Sequence, residues 1–278
     1  MKPLCAALDI RMDPARHGAF VIAFVGAGGK TSAMFALARE LREHRVIVTA
    51  TTKLRDPRLE VGRNLDTVVV EKDLAARVGD TGVERAHAPR AGGGPLVLAS
   101  AVEAGTLKFV GIHPDRVAGL RSACDFVLVE ADGSRGLPVK APTGNEPLLP
   151  DCADLVVGVV GLDCLGLPLG PGTAHRPDVL GALVGCASGE RIRPEHLFRL
   201  ARSPQGLFKG VPDGTRKAIL LNKAELAPSG AAAALAEALV EKPEAADTAI
   251  ACSLWDGGIA CAIAACVRTT ARNAEGRP

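Results

Sequence analysis

Ala19-Phe20-Val21-Ile22-Ala23-Phe24-Val25 is an uncharged apolar run that stops at Gly26-Ala27-Gly28-Gly29 and resumes on Lys30-Thr31-Ser32. Seven consecutive apolar residues bounded by glycines read as a strand buried on both faces. The residues from Ser32 to His44 carry Met34, Leu37, Ala38 and Leu41 at helical spacing, so a helix follows the turn directly. A glycine turn between strand and helix lets backbone amides converge on one concavity, and the helix start adds partial positive charge. That combination suits phosphate. The spacing predicts that Gly26, Ala27, Gly28, Gly29, Lys30, Thr31 and Ser32 hold a nucleotide, with Lys30 reaching the terminal phosphates and Thr31 binding Mg²⁺. The loop is tighter than G-x-x-x-x-G-K-[ST], because the position six before the lysine is Phe24.

Working outward, further strands are expected at Arg45–Thr51, Leu65–Val70, Leu96–Ala99, Asp125–Glu130, Leu155–Val160, Lys217–Asn222 and Thr248–Cys252. Helices are expected at Pro114–Ser122, Pro177–Cys186, Pro194–Ala201, Ala231–Lys242 and Gly258–Arg272, with Pro177 and Pro194 suited to first helical positions. This alternation predicts an α/β, P-loop NTPase-like fold: a mainly parallel β-sheet with helices on both faces. One domain spanning 1–278 is expected, with long Gly- and Pro-rich loops around 135–150 and 161–175 over one edge of the sheet. Ala88–Gly94 reads as an exposed turn and Asn273–Pro278 as a frayed tail.

The run Asp125-Phe126-Val127-Leu128-Val129-Glu130-Ala131-Asp132-Gly133 ends in two carboxylates. In phosphate-loop proteins such an acid organises Mg²⁺ and its water, and Glu130 and Asp132 are both candidates. Asn222-Lys223-Ala224-Glu225 follows another strand and matches the N-K-x-D base-reading pattern with a carboxylate one methylene longer. Asn222, Lys223 and Glu225 are therefore candidates for contacting a nucleobase, with GTP and ATP both open. Lys53, after the strand ending Thr51-Thr52, stands at the end where open α/β sheets bind ligands. Arg135 and Lys140 are candidates for an anionic substrate or a developing phosphate charge. His175 and His113 each precede a Pro-initiated helix; capping or packing is the favoured reading, with a proton carrier or metal ligand the alternative.

The bulk composition narrows the classes. The chain has 278 residues, 47% hydrophobic and 23% charged, with a net charge of +2 and 3% aromatics. This is globular composition, with too little positive charge for nucleic acid and too few rings for base stacking. No apolar run reaches the length of a membrane span and no secretory signal opens the chain, so a cytoplasmic protein without membrane contact is expected. The eight cysteines include no C-x-x-C pair and lie mostly in apolar stretches, so they read as small core hydrophobes rather than a structural zinc site. Cys164 and Cys252 lie near strand ends without a basic neighbour to activate a thiol.

The short loop G-x-G-G-K-T-S resembles that of the Mur ligases and folylpolyglutamate synthases. Glu130 with Gly133 resembles the E-x-x-G switch of metallocentre-assembly GTPases. The ordered set Phe24–Thr31, Thr51–Lys53, Val129–Pro138, Val157–Asp163, His175–Pro177 and Leu221–Ala224 is similar to the YqeC family. That resemblance, which runs from about Ala19 to Ala224, departs at Glu225, where the family pattern has Asp. It implies a role in maturing a selenium-containing molybdenum cofactor, with a molybdenum hydroxylase or its maturation proteins as partners. Three functions compete: an NTP-hydrolysing accessory factor, in which Lys30 and Glu130 or Asp132 are catalytic; an ATP-dependent small-molecule ligase or kinase; and a non-catalytic nucleotide or cofactor carrier.

Overall fold

The computed structural model describes residues 3–11, 16–56, 67–70, 91, 93–106, 108–242, 245–255 and 258–267. Its centre is a nine-stranded sheet. In chain order the strands are β1 (Phe20–Gly26), β2 (Val46–Ala50), β4 (Thr67–Val70), β5 (Leu96–Ala99), β8 (Phe126–Glu130), β10 (Leu155–Gly161), β12 (Arg216–Asn222), β13 (Thr248–Trp255) and β14 (Gly258–Val267). They lie in the order β14-β13-β12-β10-β1-β8-β2-β5-β4. Every neighbouring pair is parallel except β13 and β14.

The order follows from burial on two faces. In β1, Val21, Ala23 and Val25 point to one side and Ile22 and Phe24 to the other, and all five are fully buried. Ile22 and Phe24 pack with Met34 and Leu37 of α2 (Lys30–Glu40) and with Leu4 and Leu8 around α1 (Leu4–Ala7). Ala23 and Val25 pack with residues of α3 (Pro177–Val184), α4 (Pro194–Arg202) and α5 (Ala231–Glu241). Val21 instead meets Ile47, Val127 and Leu120. A strand with both faces covered must be apolar at every position, which is why the run before the glycine turn carries no charge. Each fully buried Val, Ile or Phe contributes roughly 1.5–3 kcal/mol of transfer free energy.

From β1 the chain first moves to β2, β4 and β5 on one side. It returns to β8 beside β1, then crosses to β10, β12 and β13 on the other side. The reversal creates a crevice at the carboxyl end of β1, the position where open α/β sheets take ligands. A three-stranded antiparallel flap stands by that end: β3 (Lys53–Arg55), β6 (Ala101–Glu103) and β7 (Lys108–Val110), in the order β3-β7-β6. The long loops after β8 and β10 also rise from the carboxyl ends rather than from one edge of the sheet. They are joined by a two-stranded parallel pair, β9 (Val139–Lys140) with β11 (Ala174–His175).

Two expected helices are replaced. Pro114–Ser122 is two 3-10 turns, Pro114–Arg116 and Ala118–Ser122, the first capped by His113 Nδ1, which accepts the Asp115 N–H at 3.4 Å. Gly258–Arg272 is not a helix over 258–267: this segment is β14, pairing antiparallel with β13 through Ala249↔Cys266 and Ile250↔Ala265. An edge ladder of backbone hydrogen bonds outweighs the helix preference of its alanines. Cys261 and Cys266 therefore lie on a strand. Positions 268–278, 57–66, 71–90 and 92 fall outside the described residues, and with them the expected tail and most of the turn at Ala88–Gly94.

Candidate functional site

The glycine loop is shaped by contacts that exclude side chains. Gly26, Gly28 and Gly29 have φ of 92°, 83° and 131°, the left-handed half of backbone space that glycine enters without penalty. A Cβ on Gly28 would lie 2.2 Å from Gly161 N and 2.6 Å from Pro138 O, and one on Gly29 2.4 Å from Asn222 Nδ2. Ala27 N–H donates to Val159 O at 2.8 Å. The amides of Gly28 and Gly29 donate to no described protein atom. The first-turn amides of α2 lack intrahelical acceptors by geometry, so this is a cluster of available donors at a helix start.

Lys30 is 3% exposed. Its Nζ donates to Gly26 O at 2.8 Å and lies 3.1 Å from Asp132 Oδ1 and 3.9 Å from Glu130 Oε1. The lysine is thus folded over its own loop rather than extended toward a ligand. Thr31 Oγ1 donates to Glu130 Oε2 at 2.7 Å. The two carboxylates that sequence left equivalent are separated here. Glu130 lines the cavity with Gly28, Gly29, Lys30, Thr31 and Ser32. Asp132 sits behind it, 2% exposed, accepting the Gly26 N–H at 3.0 Å and pairing with Lys140 Nζ at 3.0 Å. The Thr31 hydroxyl and Glu130 carboxylate suit Mg²⁺, a hard cation whose adjacent octahedral ligands stand about 2.9 Å apart.

On the other side of β1, Asn222 is buried and braces two elements. Its Nδ2 donates to Gly28 O at 2.8 Å, and its Oδ1 accepts the Leu254 N–H at 2.9 Å. Asn222, Lys223 and Leu254 line the cavity. Glu225 is exposed and accepts from the Ser253 hydroxyl; it is not among the lining residues. Ser253, which sequence reading missed, has no signal of its own beyond standing at a strand end.

The loop cations divide by burial. Lys140 is 1% exposed and does not face a substrate: its ammonium joins Asp132, Glu146 Oε2 at 2.7 Å and Gly133 O at 2.8 Å. Arg176 meets the same Glu146 oxygen at 2.6 Å. Burial works to raise the Glu146 carboxyl, but hydrogen bonds from Arg176 and Lys140 prevail and hold it at about 2. His175, in β11, also lines the cavity; burial, then Arg176, Lys140 and Arg135, push its pKa below the ordinary value. Lys53 and Arg135 both reach the cavity. Lys53 pairs with Glu103, whereas Arg135 closes no ion pair among the described residues. Of the four non-glycine residues with positive φ among the described residues, three line this cavity: Arg135 at 53°, Arg176 at 62° and Lys223 at 60°. Each costs of order 1–3 kcal/mol, and such strain gathers at functional sites.

Among the described residues no cysteine lines the cavity. Burial pushes the Cys164 and Cys252 thiols up to about 12, which removes the reactive thiolate at neutral pH. Cys186, Glu190 and His196 bring one donor atom each within 4.8 Å of one another. The Glu190 carboxylate already accepts the Ala187 N–H and pairs with Arg193. His196 Nδ1 accepts the Arg193 N–H at 3.1 Å, so this group fastens the start of α4.

The fold and the cavity define an α/β protein with a mostly parallel sheet and a glycine–lysine–threonine turn at the sheet's carboxyl end. The chain belongs to the YqeC family: the family model described as "YqeC protein" matches residues 22–178. It is 34% identical over 208 residues to the Escherichia coli (strain K12) protein described as "Uncharacterized protein YqeC", covering 73% of this chain and 75% of that one. No solved structure matches it. Among the described residues no helix is long and apolar enough to cross a membrane.

Proposed function

We propose that this protein binds a Mg²⁺–nucleoside triphosphate, GTP or ATP, on the Gly26–Ser32 loop and hydrolyses it. The observation that carries the reading is the Thr31 hydroxyl 2.7 Å from the Glu130 carboxylate, beside the acceptor-free amides of Gly28 and Gly29. Those amides and the start of α2 would cradle phosphate oxygens. Lys30, released from Asp132, would follow the terminal phosphates; Asp132 and Lys140 behind it fix its resting place. Thr31 and Glu130 would hold Mg²⁺, which when bound supplies positive charge to the phosphates and orders water. Asn222, Lys223 and Leu254 would receive the nucleoside; Glu225, held by Ser253 outside the cavity lining, would have to leave that contact to read a base.

Calorimetric titration with Mg²⁺-ATP and Mg²⁺-GTP, hydrolysable and not, tests this directly. Saturable binding that Lys30→Ala abolishes is expected, with phosphate release on the hydrolysable forms. Affinity unchanged in Lys30→Ala would sink the loop assignment. Binding without turnover would leave a carrier. We place this activity, as the resemblance of the sequence implies, in maturation of a selenium-containing molybdenum cofactor, with a molybdenum hydroxylase or its maturation proteins as partner. A hydroxylase purified with its full labile selenium from cells lacking this protein would refute that placement. The ligase-like reading is favoured by one observation, the extent of the cavity beyond the phosphate end.

A further inference from the structure

The cavity at the carboxyl end has a volume of about 1000 Å³, more than a nucleotide on the loop would use. Strand order divides it. Asn222 and Leu254 belong to β12 and β13, on one side of β1, and would take the nucleoside. The flap strand β3 follows β2, on the opposite side. The space bounded by the flap therefore lies past the terminal phosphate.

Its wall is positively charged by construction. In β3, Leu54 is buried while Lys53 and Arg55 are exposed; in β7, Phe109 is buried and Lys108 exposed. Alternation puts all three cations on the face away from the core, and all three line the cavity. Arg55 and Lys108 are direct register partners on the antiparallel pair, a placement in which like charges repel. Glu103 on β6 is also opposite Lys108 and feels its charge, but its carboxylate is engaged directly by Lys53 and Thr106. Arg55 and Lys108 close no ion pair among the described residues. Arg135, in the loop after β8, lines the same cavity, acts on His175 across it and closes no ion pair among the described residues; its backbone has a φ of 53°. Three cations that close no ion pair among the described residues and line one concave site focus positive potential and raise the local concentration of anions.

We propose that Arg55, Lys108 and Arg135 form a subsite for an oxyanion, a carboxylate or phosphate group, on a second small-molecule substrate bound beside the terminal phosphate. This rests on the nucleotide reading above, since it assigns the remainder of the same cavity. Arginine and lysine at these positions would give the incoming group charge-assisted hydrogen bonds, and its charge would relieve the Arg55–Lys108 repulsion.

The test is calorimetry on full-length protein whose loop is first filled with Mg²⁺ and a non-hydrolysable triphosphate. Inorganic phosphate and succinate are then titrated in separately. Saturable binding of one of them is expected, phosphate pointing to a phosphate ester and succinate to a carboxylic acid as the natural substrate. Arg55→Gln and Lys108→Gln should each weaken that binding by about tenfold or more, with triphosphate affinity within about twofold of wild type. Failure of both probes to bind, or affinity unchanged in both variants, overturns the subsite. If wild-type protein binds no triphosphate, the first titration shows that separately. The oxyanion titrations then run on unfilled protein, where loss in Arg55→Gln supports the subsite and loss only in Lys30→Ala places the ion on the glycine loop and overturns it.

Discussion

Replacing Asp132 by Asn removes one charge from the middle of an alternating chain. Glu130, Lys30, Asp132, Lys140, Glu146 and Arg176 follow one another at 2.6–3.9 Å. Lys30, Asp132 and Lys140 are 3%, 2% and 1% exposed. Asparagine keeps the shape and can still accept the Gly26 N–H, but it leaves two buried ammonium groups sharing one fewer counter-charge. Removing one partner of a buried pair costs about 3–5 kcal/mol. Each kcal/mol moves the midpoint of a chain this size by about 2–4 °C, so scanning calorimetry should find Asp132→Asn melting roughly 6–20 °C below wild type. Lys140→Met in the same background should return part of the loss, giving a coupling of at least about 1 kcal/mol in a double-mutant cycle. A midpoint within about 2 °C of wild type, or strictly additive effects, would show that the chain of charges is not the support described here.

Gly28→Ala should lower stability by at least about 1–2 kcal/mol, since it combines a positive φ with backbone contacts below 3 Å, and should also weaken triphosphate binding; an alanine variant with wild-type melting and affinity would contradict the loop geometry. Glu146 is depressed from 4.5 to about 2, so its contribution to stability is complete above pH 4.5 and is lost as pH falls toward 2. Melting curves of Glu146→Gln should accordingly be flatter than wild type across that window, and parallel curves would count against the Lys140–Glu146–Arg176 cluster. Cys124, Cys164 and Cys252, all pushed to about 12 by burial, should resist alkylation at pH 8 until the protein unfolds, as peptide mapping after iodoacetamide treatment would show.

The parallel strands and the glycine loop were legible because each is a local pattern: an apolar run with a punctuated end. What stayed hidden is non-local. β14 reads Gly-Ile-Ala-Cys-Ala-Ile-Ala-Ala-Cys-Val, small residues with no period to separate helix from strand, and only its pairing with β13 decides. One signal was present, since Asp256-Gly257 alone separates the two strands and that dipeptide favours two-residue hairpins. The flap strands are three residues long, too short for alternation to show, so Arg55 and Lys108 were missed while Lys53 was noticed for its place after β2. Lys140 was read as a ligand-facing cation because sequence does not reveal burial; Glu146, its partner, carried no motif at all. The roles of Glu130 and Asp132 differ because Glu130 is the last residue of β8 and lines the cavity, while Asp132 lies in the bend beyond the strand and turns under the loop onto the Gly26 N–H.

Asn222 ties the carbonyl of Gly28 to the amide of Leu254, and the next residue, Trp255, is the chain's single tryptophan. A rearrangement of the loop on binding the proposed nucleotide would be transmitted through one amide side chain to the backbone next to the only indole, so titration with that nucleotide is expected to change the protein's intrinsic emission without any label.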